Sequence, residues 1–233
     1  MMNGNKSEIR IQNSVLNNTE KKVLIWIAEK LPKRINSDHL TGIGFAGALI
    51  SSVGYMLSNR DLNFLWIASF GLVVNWFGDS LDGTLARVRN AQRPIYGFFI
   101  DHNFDALTIL VICIGAGLSP LISFSVAMLV LAGYLLLSIF TYLNTYLNGE
   151  FRITYMKLGP TEFRIIVILI NTAFIYIPIN NLIFRFMGIT LGMTDAIGMM
   201  IAIILFLIYL VSFAVNREKY KKIDPPHHST KNQ

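Results

Sequence analysis

Long apolar runs recur along the chain between residues 40 and 215, and short polar connections separate them. An α-helix needs about 20 residues to cross the hydrocarbon core of a bilayer, and six runs come close to that length. The second run is short unless its helix continues into the polar stretch that follows it. The predicted transmembrane spans are 40–57, 62–77, 98–118, 121–147, 163–183 and 189–215.

The segment before the first span has the pattern of an amphipathic helix. In EKKVLIWIAEKLPKR the apolar residues recur at helical spacing, lysines flank them, and Pro32 ends the pattern. We therefore predict a short helix within residues 19–34 that lies on the anionic inner leaflet, with Trp26 at headgroup depth. A helix packed on a cytosolic partner is the alternative.

The two ends of the chain are polar, whereas the region between them is almost entirely apolar. Residues 1–18 are rich in Asn, Ser and charge, and residues 217–233 are polar with adjacent prolines, so we predict disorder in both. Residues 38–216 form a single predicted domain without an internal repeat. The predicted fold class is an all-α integral membrane protein with six transmembrane helices after the amphipathic helix.

Small residues in the first span suggest that it packs tightly against another helix. Gly42 is followed one turn later by Ala46, and Gly47 by Ser51. Such spacing lets helix backbones approach closely in lipid.

Composition and charge support a membrane protein and predict its orientation. Of the 233 residues, 53% are hydrophobic and 15% are charged, far from the average soluble domain. Basic residues cluster at both ends and in the connections after the second and fourth spans, whereas the opposite side has only Arg60 and Arg185. Lys and Arg accumulate on the cytoplasmic side, so both termini are predicted to be cytoplasmic. The net charge of +6 then reflects topology, and no nucleic-acid surface remains.

Two pairs of aspartates lie at this predicted cytoplasmic face, in GDSLDGTLARVRNAQRPIYGFFIDHNFDALT. Asp79 and Asp82 are three residues apart and Asp101 and Asp105 four apart, so each pair shares one side of a helix. Facing carboxylates repel by about 4 kcal/mol per pair at about 4 Å and an effective dielectric of about 20. Ionisable groups in membrane helices are usually functional, which makes a mere capping role the weaker interpretation.

Divalent cations would balance these charges. An all-oxygen ligand set without His or Cys at ligand spacing favours a hard cation, Mg²⁺ first, with Mn²⁺ or Ca²⁺ as alternatives. Two such ions neutralise four carboxylates, and a pair of ions stabilises the attacking and leaving oxygens of a phosphoryl displacement.

The same stretch resembles the motif of the CDP-alcohol phosphotransferase family, D-x-x-D-G-x-x-A-R-x₉-G-x-x-x-D-x-x-x-D. The resemblance implies a membrane transferase of substituted phosphate groups that joins an alcohol to the phosphate of a CDP-linked donor and releases CMP. It also implies that Asp79, Asp82, Asp101 and Asp105 hold two divalent cations, Mg²⁺ or Mn²⁺, with Asp105 as the general base. Relatives are often homodimers, which makes a homodimer one assembly to consider.

The resemblance further implies a nucleotide site beside the aspartates. Gly83, Ala86 and Gly97 would leave room for the nucleotide, and Arg87 would meet the diphosphate. Family members often have N-x-L-T at the start of the first span. The chain has DHLT there, so Thr41 is the nucleotide contact that matches, while Asp38 departs from the pattern.

The acceptor is expected to enter beside the connection that follows the fourth span. Basic residues there would suit a phosphorylated or anionic alcohol, whereas Glu162 would suit an amino alcohol. The candidate acceptor residues are Arg152, Lys157, Glu162 and Arg164.

Three functions remain open from the sequence. A compact chain resembles the enzymes that transfer a phosphatidyl group from CDP-diacylglycerol to a water-soluble alcohol, in the cell membrane if the organism is prokaryotic. The pattern DH-x-x-D, which begins at Asp101 and His102, is closer to that of the choline and ethanolamine phosphotransferases. An aminoalcohol phosphotransferase is therefore the first alternative. A divalent-cation channel or transporter is the second alternative, although the spans have little charge at mid-depth.

Overall fold

The fold is predominantly α-helical. The computed structural model describes residues 9–11, 17–148, 150–152, 160–177, 183–186 and 189–225. Its helices are α1 (Asn17–Lys30), α2 (Ser37–Leu57), α3 (Leu65–Val88), α4 (Pro94–Gly117), α5 (Phe124–Asn148), α6 (Pro160–Tyr176) and α7 (Met193–Ile223), with a 3₁₀ turn at Leu62–Phe64. Two short strands, β1 (Ile9–Ile11) and β2 (Glu150–Arg152), pair in parallel, while β3 (Ile183–Phe186) and β4 (Ile189–Gly192) pair antiparallel.

Five helices in the described residues are long and apolar enough to cross a membrane: α2, α3 with its 3₁₀ turn, α4, α5 and α7. The predicted fifth span falls on α6, which has 17 residues. Six spans and cytoplasmic termini therefore stay predictions. The continuation of the second span into the aspartate stretch is confirmed, because α3 ends only at Val88.

The predicted boundary between the last two spans is wrong. Ile183 and residues 189–192 belong to the β3–β4 pair, and the final helix begins at Met193. The sequence IFRFMGIT is rich in β-branched and aromatic residues, which favour strands. At its other end α7 continues to Ile223, into the segment that was predicted to be a disordered tail.

Helices α2 and α3 make the most extensive helix contact in the structure, and glycines bring their backbones together. A Cβ atom on Gly47 would meet the backbone of Gly71 and Asn75, and one on Gly78 would meet that of Gly44. The predicted close packing at Gly47 is confirmed. Gly42, in contrast, is exposed and has nothing within 4 Å of its Cβ position, so the first predicted pair is on the wrong face.

Helix α1 packs its apolar face on the bundle. Leu24 and Ala28 are buried against Leu40 of α2 and against Leu81 and Leu85 of α3. The face that we expected to lie on lipid is therefore covered by the protein itself. Contact with the leaflet stays a prediction for the outward face, where Trp26 is 57% exposed and Lys30 Nζ lies 3.7 Å from the ring centroid.

We expect Glu20→Ala to destabilise the docking of α1. Glu20 Oε1 accepts hydrogen bonds from Trp76 Nε1 of α3 and Thr161 Oγ1 of α6, both at 2.8 Å. Bonds to a charged group contribute about 1.5–3 kcal/mol each, so thermal unfolding in detergent should begin several degrees lower. Glu20→Gln keeps an acceptor oxygen and should lose less, while Glu29→Ala, on the exposed face of the same helix, should change nothing. Equal midpoints for Glu20→Ala and Glu29→Ala would contradict this role.

Candidate active site

The four predicted aspartates line one small cavity at the junction of three helices. Asp79 and Asp82 come from the last turns of α3, and Asp101 and Asp105 from the first half of α4. The cavity is also lined by Thr41 and Gly44 of α2, by Asn75 of α3 and by Phe104 of α4, among other residues. Residues far apart in the chain therefore form one acidic site.

The carboxylates have different surroundings. Asp82 is buried at 6% exposure and accepts hydrogen bonds from Thr41 Oγ1 at 2.7 Å and from the backbone N–H of Gly83 at 2.5 Å. Asp79 and Asp105 are half-buried, whereas Asp101 is exposed. Asp105 lines the same cavity as the other three aspartates. Four carboxylates thus share one cavity, where like charges are expected to repel.

Arg164 forms an ion pair with this cluster. It lies in the second turn of α6, and its Nη2 donates to Asp79 Oδ2 at 2.6 Å. The Arg164 side chain is only 15% exposed, and the Asp79 side chain is 37% exposed. Arg164 is a predicted acceptor residue, and that role stays a prediction, whereas its ion pair with Asp79 was not predicted. Eighty-five positions separate Asp79 from Arg164, so no local pattern could have revealed the pair.

Asn75 is a site residue that sequence analysis missed. It is 3% exposed, lies one helical turn before Asp79, and bonds to both α2 and α6. Its Nδ2 donates to the carbonyl oxygen of Gly44 at 3.0 Å, and its Oδ1 accepts from Arg164 Nε at 3.0 Å. An amide inside the apolar run GLVVNWFG was the available signal.

The predicted nucleotide residues divide into two groups. Thr41 faces the aspartates directly. Gly83, Ala86, Arg87 and Gly97 do not line the cavity, although a Cβ on Gly97 would meet nothing within 4 Å. Arg87 donates from Nη2 to Thr84 Oγ1 at 3.0 Å, and a Cβ on Gly83 would come no closer than 3.4 Å to Arg87. Space beside this end of α3 is thus compatible with a ligand.

Among the side chains that the structure describes, Arg164 is the predicted acceptor residue that bonds to an aspartate of the cavity. Glu162 is half-buried in the first turn of α6, and Arg152 ends β2. Lys157 lies outside the described residues.

An ion pair joins the first turn of α2 to the connection between α3 and α4. Asp38 accepts a hydrogen bond from Arg93, which also lies over the ring of Tyr96, with Cζ 4.1 Å from the centroid. The hydrogen bond to Asp38 raises the pKa of the Arg93 guanidinium. The departure from N-x-L-T is therefore accompanied by a basic partner.

His102 packs between α4 and α5. Its ring stacks on Phe98 at 4.0 Å and meets Tyr142 edge-on at 4.5 Å, while Nδ1 is 2.7 Å from the carbonyl oxygen of Phe98. These contacts support a packing role and give no reason to choose the aminoalcohol alternative.

Metal binding stays a prediction. Within the part of the chain that the structure describes, no three His, Cys, Asp or Glu side chains are grouped so that they could hold an ion. The oxygens of Asp82 instead accept from Thr41 and Gly83, and one oxygen of Asp79 accepts from Arg164.

Membrane-length helices and an acidic cavity between three of them define an integral membrane protein with a polar site built on its spans. The sequence model of the CDP-alcohol phosphatidyltransferase family matches residues 37–217, and the chain belongs to that family. Its members transfer a phosphatidyl group from a CDP-alcohol. No individual curated protein matches the chain.

Proposed function

We propose that this protein transfers the phosphatidyl group of CDP-diacylglycerol to the hydroxyl of a water-soluble alcohol and releases CMP. A bond forms between the alcohol oxygen and the phosphorus of the phosphatidyl group, and the bond from that phosphorus to the oxygen of CMP breaks. The observation that carries the proposal is the cavity lined by Asp79, Asp82, Asp101 and Asp105 within the family-matched region. The family supplies the reaction class, and the donor and acceptor are the proposed parts.

The donor chemistry of the cavity lining suits a pair of hard cations. Carboxylates from two helices converge on one cavity without nitrogen or sulfur ligands, which is the donor chemistry of Mg²⁺ or Mn²⁺. Asp79, Asp82, Asp101 and Asp105 would hold them after the carboxylates turn from their present partners. When bound, the cations supply positive charge to the phosphoryl oxygens.

The chain's own residues would orient the reactants and move one proton. Asp105 would take the proton of the attacking hydroxyl. The nucleotide would lie along Thr41, Gly83, Ala86 and Gly97, with Arg87 at the diphosphate. We expect the site at the cytoplasmic face, where both soluble CMP and a soluble alcohol can exchange.

The position of Arg164 beside the aspartate cavity supports an anionic acceptor. A guanidinium beside the reacting centre could bind a phosphate of the alcohol, assisted by Arg152 and Lys157, whereas Glu162 would suit an amino alcohol. The basic residues outnumber the acidic one, so we favour a phosphorylated alcohol.

We expect purified protein in detergent to release CMP from labelled CDP-diacylglycerol only with Mg²⁺ or Mn²⁺, and EDTA to stop the release. To identify the acceptor, a panel of alcohols is offered and the lipid products are identified by mass spectrometry. CDP-choline with diacylglycerol tests the aminoalcohol alternative in parallel. Metal-independent release would contradict the proposal, and cation flux into loaded vesicles without CMP formation would favour a channel.

A further inference from the structure

A buried amide joins three helices at the edge of the aspartate cavity. Asn75 of α3 bonds to Gly44 of α2 and to Arg164 of α6, and it is 3% exposed. The carbonyl of Gly44 can only accept a hydrogen bond, so the NH₂ group of the amide must face α2. The amide oxygen is thereby turned toward α6, where it accepts from Arg164 Nε.

The guanidinium of Arg164 is consequently held at two points. Its Nε donates to Asn75 at 3.0 Å and its Nη2 to Asp79 at 2.6 Å. Asn75 and Asp79 are one turn apart on α3, so the planar fork of the guanidinium spans them. Without the amide, the ion pair with Asp79 would leave the long side chain free to pivot.

We propose that Asn75 is a positioning residue that acts through Arg164. It holds the positive charge against Asp79 and directs the guanidinium toward the cavity, where the acceptor phosphate would bind. The role of Arg164 toward substrate rests on the proposed function. The hydrogen bond between Asn75 and Arg164 does not depend on that function.

The test compares Asn75→Leu, Arg164→Leu and the double variant. We expect each to lower kcat/KM by up to about 100-fold, the effect of a misplaced positioning group, and the double variant to lose no more than Arg164→Leu alone. Mn²⁺ binding, followed by electron paramagnetic resonance without substrate, should become tighter in all three, because a cation near Asp79 is repelled less.

Asn171→Leu is the matched control. Asn171 is 1% exposed and joins the same three helices further from the cavity, through Tyr55 of α2 and Ser69 of α3. Its loss should lower the unfolding temperature without tightening Mn²⁺ binding. Additive losses in the double variant, or Mn²⁺ binding in Asn75→Leu that is unchanged or weaker, would overturn the proposal.

Arg164→Lys covers the case in which Asn75→Leu does not fold. It leaves the amide and its bond to α2 intact and keeps the positive charge, but an ammonium has no fork to span Asn75 and Asp79. We expect it to lose activity as Arg164→Leu does, and full activity would overturn the inference. If wild-type protein binds Mn²⁺ yet releases no CMP, the proposed function fails, while the coupling can still be read from Mn²⁺ binding.

Discussion

Asp105→Asn is expected to abolish CMP release while the protein still folds and inserts into the membrane. Asp105 lies in the cavity among the other carboxylates. Asparagine has nearly the same shape, but it can neither take the proton of the attacking hydroxyl nor balance a cation. Loss of a general base costs about 10²–10⁴-fold, and loss of a metal ligand adds to it. The measurement is the initial rate of CMP release at saturating Mg²⁺.

Asp61→Asn is the control for this variant. Asp61 lies outside the cavity, where its Oδ1 accepts from the backbone N–H of Asn63 at 2.8 Å at the start of the 3₁₀ turn. Asparagine caps such a turn equally well, so stability and rate should stay at the wild-type level. An Asp105→Asn protein that turns over at the rate of Asp61→Asn would show that Asp105 is not the base.

Gly78→Ala is expected to cause the largest loss of stability from a single added methyl group. A Cβ at Gly78 would overlap the backbone of Gly44 and Leu40, so α2 and α3 would have to move apart. Overpacking costs about 1–3 kcal/mol, and the upper end applies because backbone atoms cannot rotate away as a side chain can. The separation would also move Asp79, the next residue, and activity should fall with the unfolding temperature.

Gly42→Ala tests the same helix pair from its open side. Nothing lies within 4 Å of that Cβ position, and alanine is a better helix former than glycine by about 0.8–1.0 kcal/mol in soluble peptides. This variant should unfold at or slightly above the wild-type temperature and keep its activity. If both glycine variants were equally harmed, the glycine contact between α2 and α3 would be wrong.

The acidic residues of the site could be predicted because their pattern is local. Asp79 with Asp82 and Asp101 with Asp105 repeat at helical spacing, and α3 continues through the first pair as expected. The family was also visible in this one stretch, and the match over residues 37–217 confirms it. Hydrophobic runs predicted the membrane class for the same reason, since the length of a span is a local property.

The partners of these aspartates could not be predicted. Asn75 and Arg164 are 89 positions apart, and only the packing of α6 on α3 brings them together. The docking of α1 was missed because an amphipathic pattern does not distinguish a lipid surface from an apolar protein surface. The β3–β4 pair was missed because a short apolar run is compatible with either a helix or a strand.

The sequence alone thus determined that the chain is built from membrane-length helices and that two helix segments each present a pair of carboxylates, because both depend on residues that are neighbours in the chain. The tertiary structure decided which glycines lie at the contact between α2 and α3, that Arg164 pairs with Asp79, and that Asn75 holds Arg164 in place. Those contacts join separate helices, and their geometry exists only once the helices have packed.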